Sequence, residues 1–504
     1  MFRYNHPSFG QTFDQAGCSM PQTSEFDLVV IGGGPAGYVG AIRSTQLGMK
    51  VACVERDKLG GICLNWGCIP TKALLAGAEF YTRLKHEAAD WGIEADNIRH
   101  NWDKVIGRSR GVAGNLNKGI HALFKKNKVT HIQGSGKIIS GGPDCKVEVS
   151  DHSGGGGGGG KVTQTLKCKH VLICTGAGPR TLPGVEFDGQ TIINYKQAMV
   201  LPKQPQRLLV VGAGAIGMEF AYFYNAFGTK VTVIEMLDRV MPNEDEDVSK
   251  AIAKAFGKQK IDCRPATTTR SVRKTGNGVE VTVAPVGDES KTETLKADKL
   301  LVAIGVQGLY DGLFDESLGI ETDGSHIKAD RSTYQTSVPG IYAVGDVIGP
   351  PWLAHVASEE AIVCVEKLAG HNPSPIDYDA IPACTYCLPQ VASLGMTEQA
   401  CKEKGMKKGA DYKVGMFPFQ ASGKAQASGH TEGFVKIITD TRTGEILGVH
   451  MVGDTVTELL AEMGLAKRLE ATRDELIATM HAHPTLSEAI HEAALGTDGR
   501  MIHF

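Results

Sequence analysis

The sequence predicts an α/β protein built on two copies of one strand–helix–strand unit and closed by a separate C-terminal α+β domain. Three observations carry this. The stretch "FDLVVIGGGPAGYVGAIRSTQLGMKVACVE" opens with a short apolar run, Leu28 to Ile31, passes through a glycine cluster into a helical segment ending near Gly48, and closes on a second apolar run, Val51 to Val54. The same pattern returns in "RLLVVGAGAIGMEFAYFYNAFGTKVTVIE", with runs at Leu208 to Val211 and Val231 to Ile234. Past about Ile381 the order changes: strand-like runs ("GFVKIITD", "ILGVHMVG") precede helical ones ("TELLAEMGLAKRL", "SEAIHEAAL").

Each glycine cluster has the spacing Gly-x-Gly-x-x-Gly: Gly32, Gly34 and Gly37 in the first unit, Gly212, Gly214 and Gly217 in the second. Such a turn lets a pyrophosphate approach a helix N-terminus, where free N–H groups and the helix dipole favour an anion. An acid follows the last glycine by 18 residues in both units, Glu55 and Glu235. Both stand where a carboxylate accepts hydrogen bonds from a ribose diol. A lone glycine fingerprint is weak evidence, but strand, helix and acid together make two Rossmann-like sites and hence two dinucleotides. Glu235 favours NAD over NADP, because a carboxylate repels a 2′-phosphate; the nearest arginine is Arg239.

Between the units, alternating runs flank seven glycines, Gly154 to Gly160, and read as a strand pair joined by a flexible loop. "GIYAVGD" reads as a further apolar strand running into Gly345 and Asp346. At 504 residues the chain implies several domains, and 42% apolar with 22% charged residues is ordinary for a globular protein. A net charge of −3 without a Lys/Arg block argues against nucleic-acid binding. The first 26 residues carry no signal-peptide pattern, and the apolar stretch Leu208 to Gly228 is broken by glycines, Glu219 and Asn225, so no membrane span is expected. No metal site is expected either. Twelve cysteines are too few for a disulfide scaffold, which points to a reducing compartment.

One pair stands apart: Cys63 and Cys68 in "GGICLNWGCIPTK". In a regular helix residues five apart have Cα atoms about 8 Å apart, beyond the roughly 7 Å limit of a disulfide. A bridge therefore needs an irregular turn, which Gly67 can supply. Pro70 suits the first turn of a helix, which would set both sulfurs at a helix N-terminus where thiol pKa falls. Two inert core thiols and half a metal site remain alternatives, though Cys-x4-Cys without a second pair is poor zinc spacing. Near the C-terminus His483 and Glu488 lie five apart, so the carboxylate can reach one imidazole nitrogen and leave the other as a base.

"GGICLNWGCIPTKALL" resembles the active-site signature of the flavin-dependent pyridine nucleotide–disulfide oxidoreductases. The resemblance extends over nearly the whole chain, through "VLICTGA", "GIYAVGDV", "LAH", "FPF" and "HAHPTLSEA". Within the family it is greatest to the members that oxidise dihydrolipoyl groups; a glutathione-reductase-like enzyme is the alternative. It implies a tail at 1–25, an FAD domain at 26–178, an NAD domain at 179–305, a central domain at 306–378 that completes the FAD site, and a dimerisation domain at 379–504. It implies catalysis by Cys63, Cys68, His483 and Glu488. FAD would be held by Gly32, Gly34, Gly37, Glu55, Lys72, Thr175, Gly176, Gly345, Asp346, Leu353, Ala354 and His355. NAD would be held by Gly212, Gly214, Ile216, Gly217, Glu219, Glu235 and Gly305. Glu219 would also pair with Lys72. The implied partners are a second copy of the chain and the lipoyl domain of a 2-oxo acid dehydrogenase or glycine cleavage complex, in a bacterial cytoplasm or an organelle matrix. The sequence departs from the family at Ile62 and Trp66, where Thr and Val are commoner, at Leu388, where His is frequent, and at Ala303 to Leu313, which lacks an Arg-Arg-Pro-Asn. Cys384 and Cys387 read as strand residues of the C-terminal domain.

Overall fold

The structure, a computed structural model, describes residues 22–151 and 160–504. The first unit is β1 (Gln22–Ile31), α1 (Pro35–Gln46) and β2 (Val51–Glu55). It continues through α2 (Gly61–Trp66), α3 (Cys68–His86), α4 (Trp102–Asn127), β3 (Thr130–Gln133), β4 (Ser135–Ser140), β5 (Cys145–Ser150) and β6 (Val162–Ile173). These strands form one sheet in the order β3-β2-β1-β6-β5-β4, and the strand Ile341–Ala343 adds in parallel to the inner half of β6. The inner half of β1 (Leu28 to Ile31), β2 and the inner half of β6 are buried on both faces, which is why they read as apolar runs rather than alternating ones.

The second unit repeats the arrangement. Its parallel sheet runs Asp262–Arg264, Lys230–Ile234, Arg207–Val211, Lys299–Val302, Ile192–Ile193, with the helix Ala215–Ala226 after the central strand. The C-terminal domain is an antiparallel sheet, Ala383–Thr385, Gln390–Gly395, Ile446–Gly453, Phe434–Asp440, Tyr412–Pro418, covered by helices that include Val456–Arg468 and Glu488–Gly496. Among the described residues no helix is long and apolar enough to cross a membrane.

Three details differ from the sequence reading. β1 begins at Gln22, six residues before the apolar run and inside the segment read as tail, because Gln22 to Phe26 pair with Gln164 to Cys168 of β6. No local pattern reveals so distant a ladder. The cysteine segment is two helices abutting at Gly67 (φ −146°, ψ −116°), so only Cys68 opens a helix; Cys63 lies within α2. Cys387 lies in the loop after the strand Ala383–Thr385, its thiol facing the Pro389 carbonyl. The glycine run lies outside the described residues except Gly160, and the tail at 1–25 except its last four; the strands flanking the run, β5 and β6, do form an antiparallel pair.

Candidate active site

The two glycine fingerprints have the same internal logic. A β-carbon on Gly37 would sit 1.8 Å from the Gly32 carbonyl oxygen, and one on Gly217 1.9 Å from that of Gly212, so the third glycine lets each helix rest on its own turn. The second glycine has no such reason. A side chain at Gly214 would meet no atom within 4 Å, and one at Gly34 only the Gly61 Cα at 3.8 Å. Both residues sit at the N-caps of helices that have no side-chain cap. The space and the free N–H groups are what a pyrophosphate takes up.

Both acids are anchored in the same way. Glu55 accepts the Gly33 and Asp57 N–H groups, each at 2.7 Å; Glu235 accepts those of Ala213 (2.7 Å) and Leu237 (2.9 Å). Each carboxylate oxygen thus keeps a lone pair for a ribose hydroxyl. Around the first cleft, the buried Thr175 hydroxyl has no hydrogen-bond partner, and Gly176 follows in a left-handed conformation (φ +71°). Gly345 and Asp346 start a 3₁₀ turn directly after the strand Ile341–Ala343. Burial, reinforced by Glu360, raises the Asp346 carboxyl to a pKa of about 6. Leu353 is the N-cap and Ala354 the first residue of the helix Ala354–Leu368, again without a side-chain cap, and His355 contacts the Pro382 carbonyl at 3.0 Å. These residues fit an extended FAD: open glycine turn, anchored acid, unpartnered hydroxyl and a helix N-terminus. In the second cleft Ile216 is 38% exposed beside Gly214, and Gly305 (φ +105°) accepts the Arg180 N–H across the cleft wall.

The cysteines lie beside the first cleft. The Asn65 amide donates to the Leu59 and Gly61 carbonyls (3.0 and 2.9 Å) and ties α2 to the loop before it. Both cysteines are free thiols hydrogen-bonded to each other. That bond, helped by the Lys72 charge and opposed by burial, lowers the Cys68 pKa to about 7; the same bond and burial push Cys63 up. Cys68 therefore carries the negative charge of the reduced pair. In the reduced protein, alkylation by iodoacetamide should rise with pH through about 7, below the free-thiol value of about 8.5. Lys72→Met should move that midpoint upward; a midpoint of 8.5 in the parent protein would contradict the arrangement.

Lys72 Nζ donates to both oxygens of Glu219, at 2.8 and 2.9 Å. The sequence reading missed a third member. Tyr386, from the C-terminal domain, donates its backbone N–H to Glu219 (3.0 Å) and places its ring 4.5 Å from the Lys72 ammonium. It also missed Glu360, which accepts the Gly345 N–H (2.6 Å), Arg331 and the Tyr378 hydroxyl. An acid inside the otherwise apolar face of "HVASEEAIVCVEKL" was its only signal. His483 Nδ1 lies 2.9 Å from Glu488 Oε1, and Glu488 Oε2 accepts the Thr485 N–H. The His483 side chain is 77% exposed, and among the described residues it bonds only to Glu488.

The family described as pyridine nucleotide-disulphide oxidoreductase matches residues 26–361, and its dimerisation domain matches 381–494. Proteins named dihydrolipoyl dehydrogenase are 44% identical in Rhizobium etli (95% of this chain, 99% of that one) and 44% identical in Bacillus subtilis (95% and 100%). A mitochondrial one from Arabidopsis thaliana is 40% identical (95% and 92%). Among solved structures, LpdA from Mycobacterium tuberculosis superposes with a TM-score of 0.83 at 28% identity, over 93% of this chain and 99% of that one. The chain belongs to the pyridine nucleotide-disulphide oxidoreductase family and carries its dimerisation domain.

Proposed function

We propose that this chain is a dihydrolipoyl dehydrogenase, which oxidises a protein-bound dihydrolipoyl group to its cyclic disulfide and reduces NAD⁺, with FAD as resident cofactor. Near-full-length identity of 40–44% to proteins of that name supports the activity. The single observation that carries the chemistry is the dithiol of Cys63 and Cys68 set beside the Lys72–Glu219 pair at the first cleft.

The cycle starts with the cysteines joined. His483 of the partner subunit takes the proton of a substrate thiol on Nε2, while Glu488 holds Nδ1–H and stabilises the imidazolium. The substrate thiolate attacks Cys63, because Cys68, with the lower pKa, is the better leaving group. Lys72 stabilises the departing Cys68 thiolate. The second substrate thiol then attacks the substrate sulfur of the mixed disulfide; the lipoyl ring closes and Cys63 leaves as a thiol. Two electrons have passed to the cysteine pair. FAD, bound along the first cleft, supplies the two-electron relay from this dithiol to NAD bound at the second. The lipoyl domain of a 2-oxo acid dehydrogenase or glycine cleavage complex is the macromolecular substrate in this reading, met in a bacterial cytoplasm or organelle matrix.

Turnover tests the assignment. The protein should purify yellow, with one FAD per chain, and should turn over dihydrolipoamide with NAD⁺ but not glutathione disulfide with NADPH; the reverse would assign the glutathione-reductase-like activity. Glu235→Ala should weaken NAD⁺ use by about 1.5–3 kcal/mol in kcat/KM, the worth of a hydrogen bond to a charged group, and narrow the preference over NADP⁺. An unchanged preference would mean that Glu235 does not face the ribose.

A further inference from the structure

A second pair of thiols lies in the first domain, outside the active site. Cys145 is the first residue of β5, and Cys168 stands directly opposite it on the antiparallel β6. Residues directly opposite on antiparallel strands have Cα atoms about 4.5–5.5 Å apart and side chains on one face, inside the roughly 4.4–6.8 Å span of a disulfide. Both are free thiols in the core, the Cys168 thiol donates to the Cys145 carbonyl at 3.8 Å, and each thiol shifts the other's pKa. The Cys145 sulfur also faces the Gly142 carbonyl at 3.3 Å, in the turn between β4 and β5. It also faces the Lys169 and Gly340 carbonyls, each at 3.7 Å, so access to the pair needs that turn and the segment at Gly340 to open together, a local event at the end of the sheet.

We propose that Cys145 and Cys168 form a second redox-modifiable dithiol, which a peroxide converts to a cross-strand disulfide stapling β5 to β6. The steps balance. The Cys145 thiolate attacks one peroxide oxygen; the S–O bond forms, the O–O bond breaks, and hydroxide leaves with the thiol proton as water. The Cys168 sulfur then attacks the Cys145 sulfenic acid; the S–S bond forms, the S–O bond breaks, and a second water leaves with the Cys168 proton. The two thiols lose two electrons and the peroxide gains them. The hydrogen bond from Cys168 lowers the Cys145 pKa against the opposing effect of burial, and the same bond with burial raises Cys168. Cys145 is thus the attacking sulfur and Cys168 the resolving one. Cys53, Cys174 and Cys364, also buried, have thiols that burial pushes upward and no hydrogen-bonded thiol partner, so they stay reduced.

The test uses the full-length, FAD-loaded protein treated with hydrogen peroxide until the Cys63–Cys68 pair is fully oxidised, which serves as an internal reference. Thiols are then blocked under denaturing conditions and the peptides mapped without reduction. The expected product is a Cys145–Cys168 cross-linked peptide that dithiothreitol separates, absent in Cys145→Ser and in Cys168→Ser. Turnover of reduced Cys145→Ser should match the parent. Cys145 and Cys168 both recovered as blocked thiols, or Cys145 found as sulfinic acid or joined to another cysteine, would overturn the proposal. None of these outcomes bears on the dihydrolipoyl dehydrogenase assignment, which rests on Cys63 and Cys68.

Discussion

Replacing His483 by Ala lowers turnover about 100- to 10,000-fold, the usual contribution of a positioned general base. The loss should fall on kcat/KM for dihydrolipoamide and spare FAD content, since among the described residues His483 bonds only to Glu488 and it is 77% exposed. The His483 ring is held at Nδ1 by Glu488 and is exposed, as the proposed shared site requires. In the proposed cycle His483 serves the partner subunit's cysteines, and a two-fold interface would then form two identical sites. Inactive Cys63→Ala and His483→Ala chains, refolded together with FAD, should therefore regain activity, up to about a quarter of the parent's if subunits pair at random. In each mixed dimer one site carries both lesions and the other carries none. Mixed dimers that form, as differential tags would report, yet stay inactive would place His483 in its own chain's site.

The second large effect is on stability. Lys436, 1% exposed, donates to Asp245 (2.8 Å), Asp247 (2.6 Å) and Glu398 (2.8 Å), which ties the C-terminal sheet to the helix Glu246–Lys258 of the second unit. Asp245 also accepts the Glu398 N–H and caps that helix through the Asp247 N–H. Lys436→Met leaves the fully buried Asp245 without its cation, while Glu398 keeps Lys408, and should cost about 3–5 kcal/mol. The combined Lys436→Met, Asp245→Asn protein should recover most of that loss, because the fully buried carboxylate is then neutral while Asp247 is partly exposed and Glu398 keeps Lys408. The contribution depends on pH with a definite sign. Burial pushes Asp245 and Glu398 upward, but Lys436 together with the Glu398 N–H on Asp245 and Lys408 on Glu398 outweighs it and holds both below their ordinary 3.8 and 4.5. Their stabilisation is complete above those values and is lost as pH falls through the lower folded ones. Lys436 is raised despite burial, so its share is lost only at strongly alkaline pH. Denaturant midpoints for the parent and Lys436→Met should differ at pH 7 and converge in acid; a constant difference would mean that the cluster carries no linked charge.

The sequence by itself determined whatever depends on neighbours along the chain. A parallel strand buried on both faces must be a continuous apolar run, and a helix over its own turn needs glycine at Gly37 and Gly217, so both βαβ units and their acids Glu55 and Glu235 were legible as spacing. Cys63, Cys68, His483 and Glu488 were legible because each pair is held within one short segment. What only the tertiary structure decided is what distant segments do to one another. Tyr386 meets Lys72 and Glu219 across three domains, Glu360 reaches Gly345 from a facing helix, and Gln22 to Phe26 become a strand only because β6 offers them a ladder. The pairing of Cys145 with Cys168 is of the same kind: they are 23 positions apart in the chain, and strand register, set by the burial of one face, places them directly opposite each other.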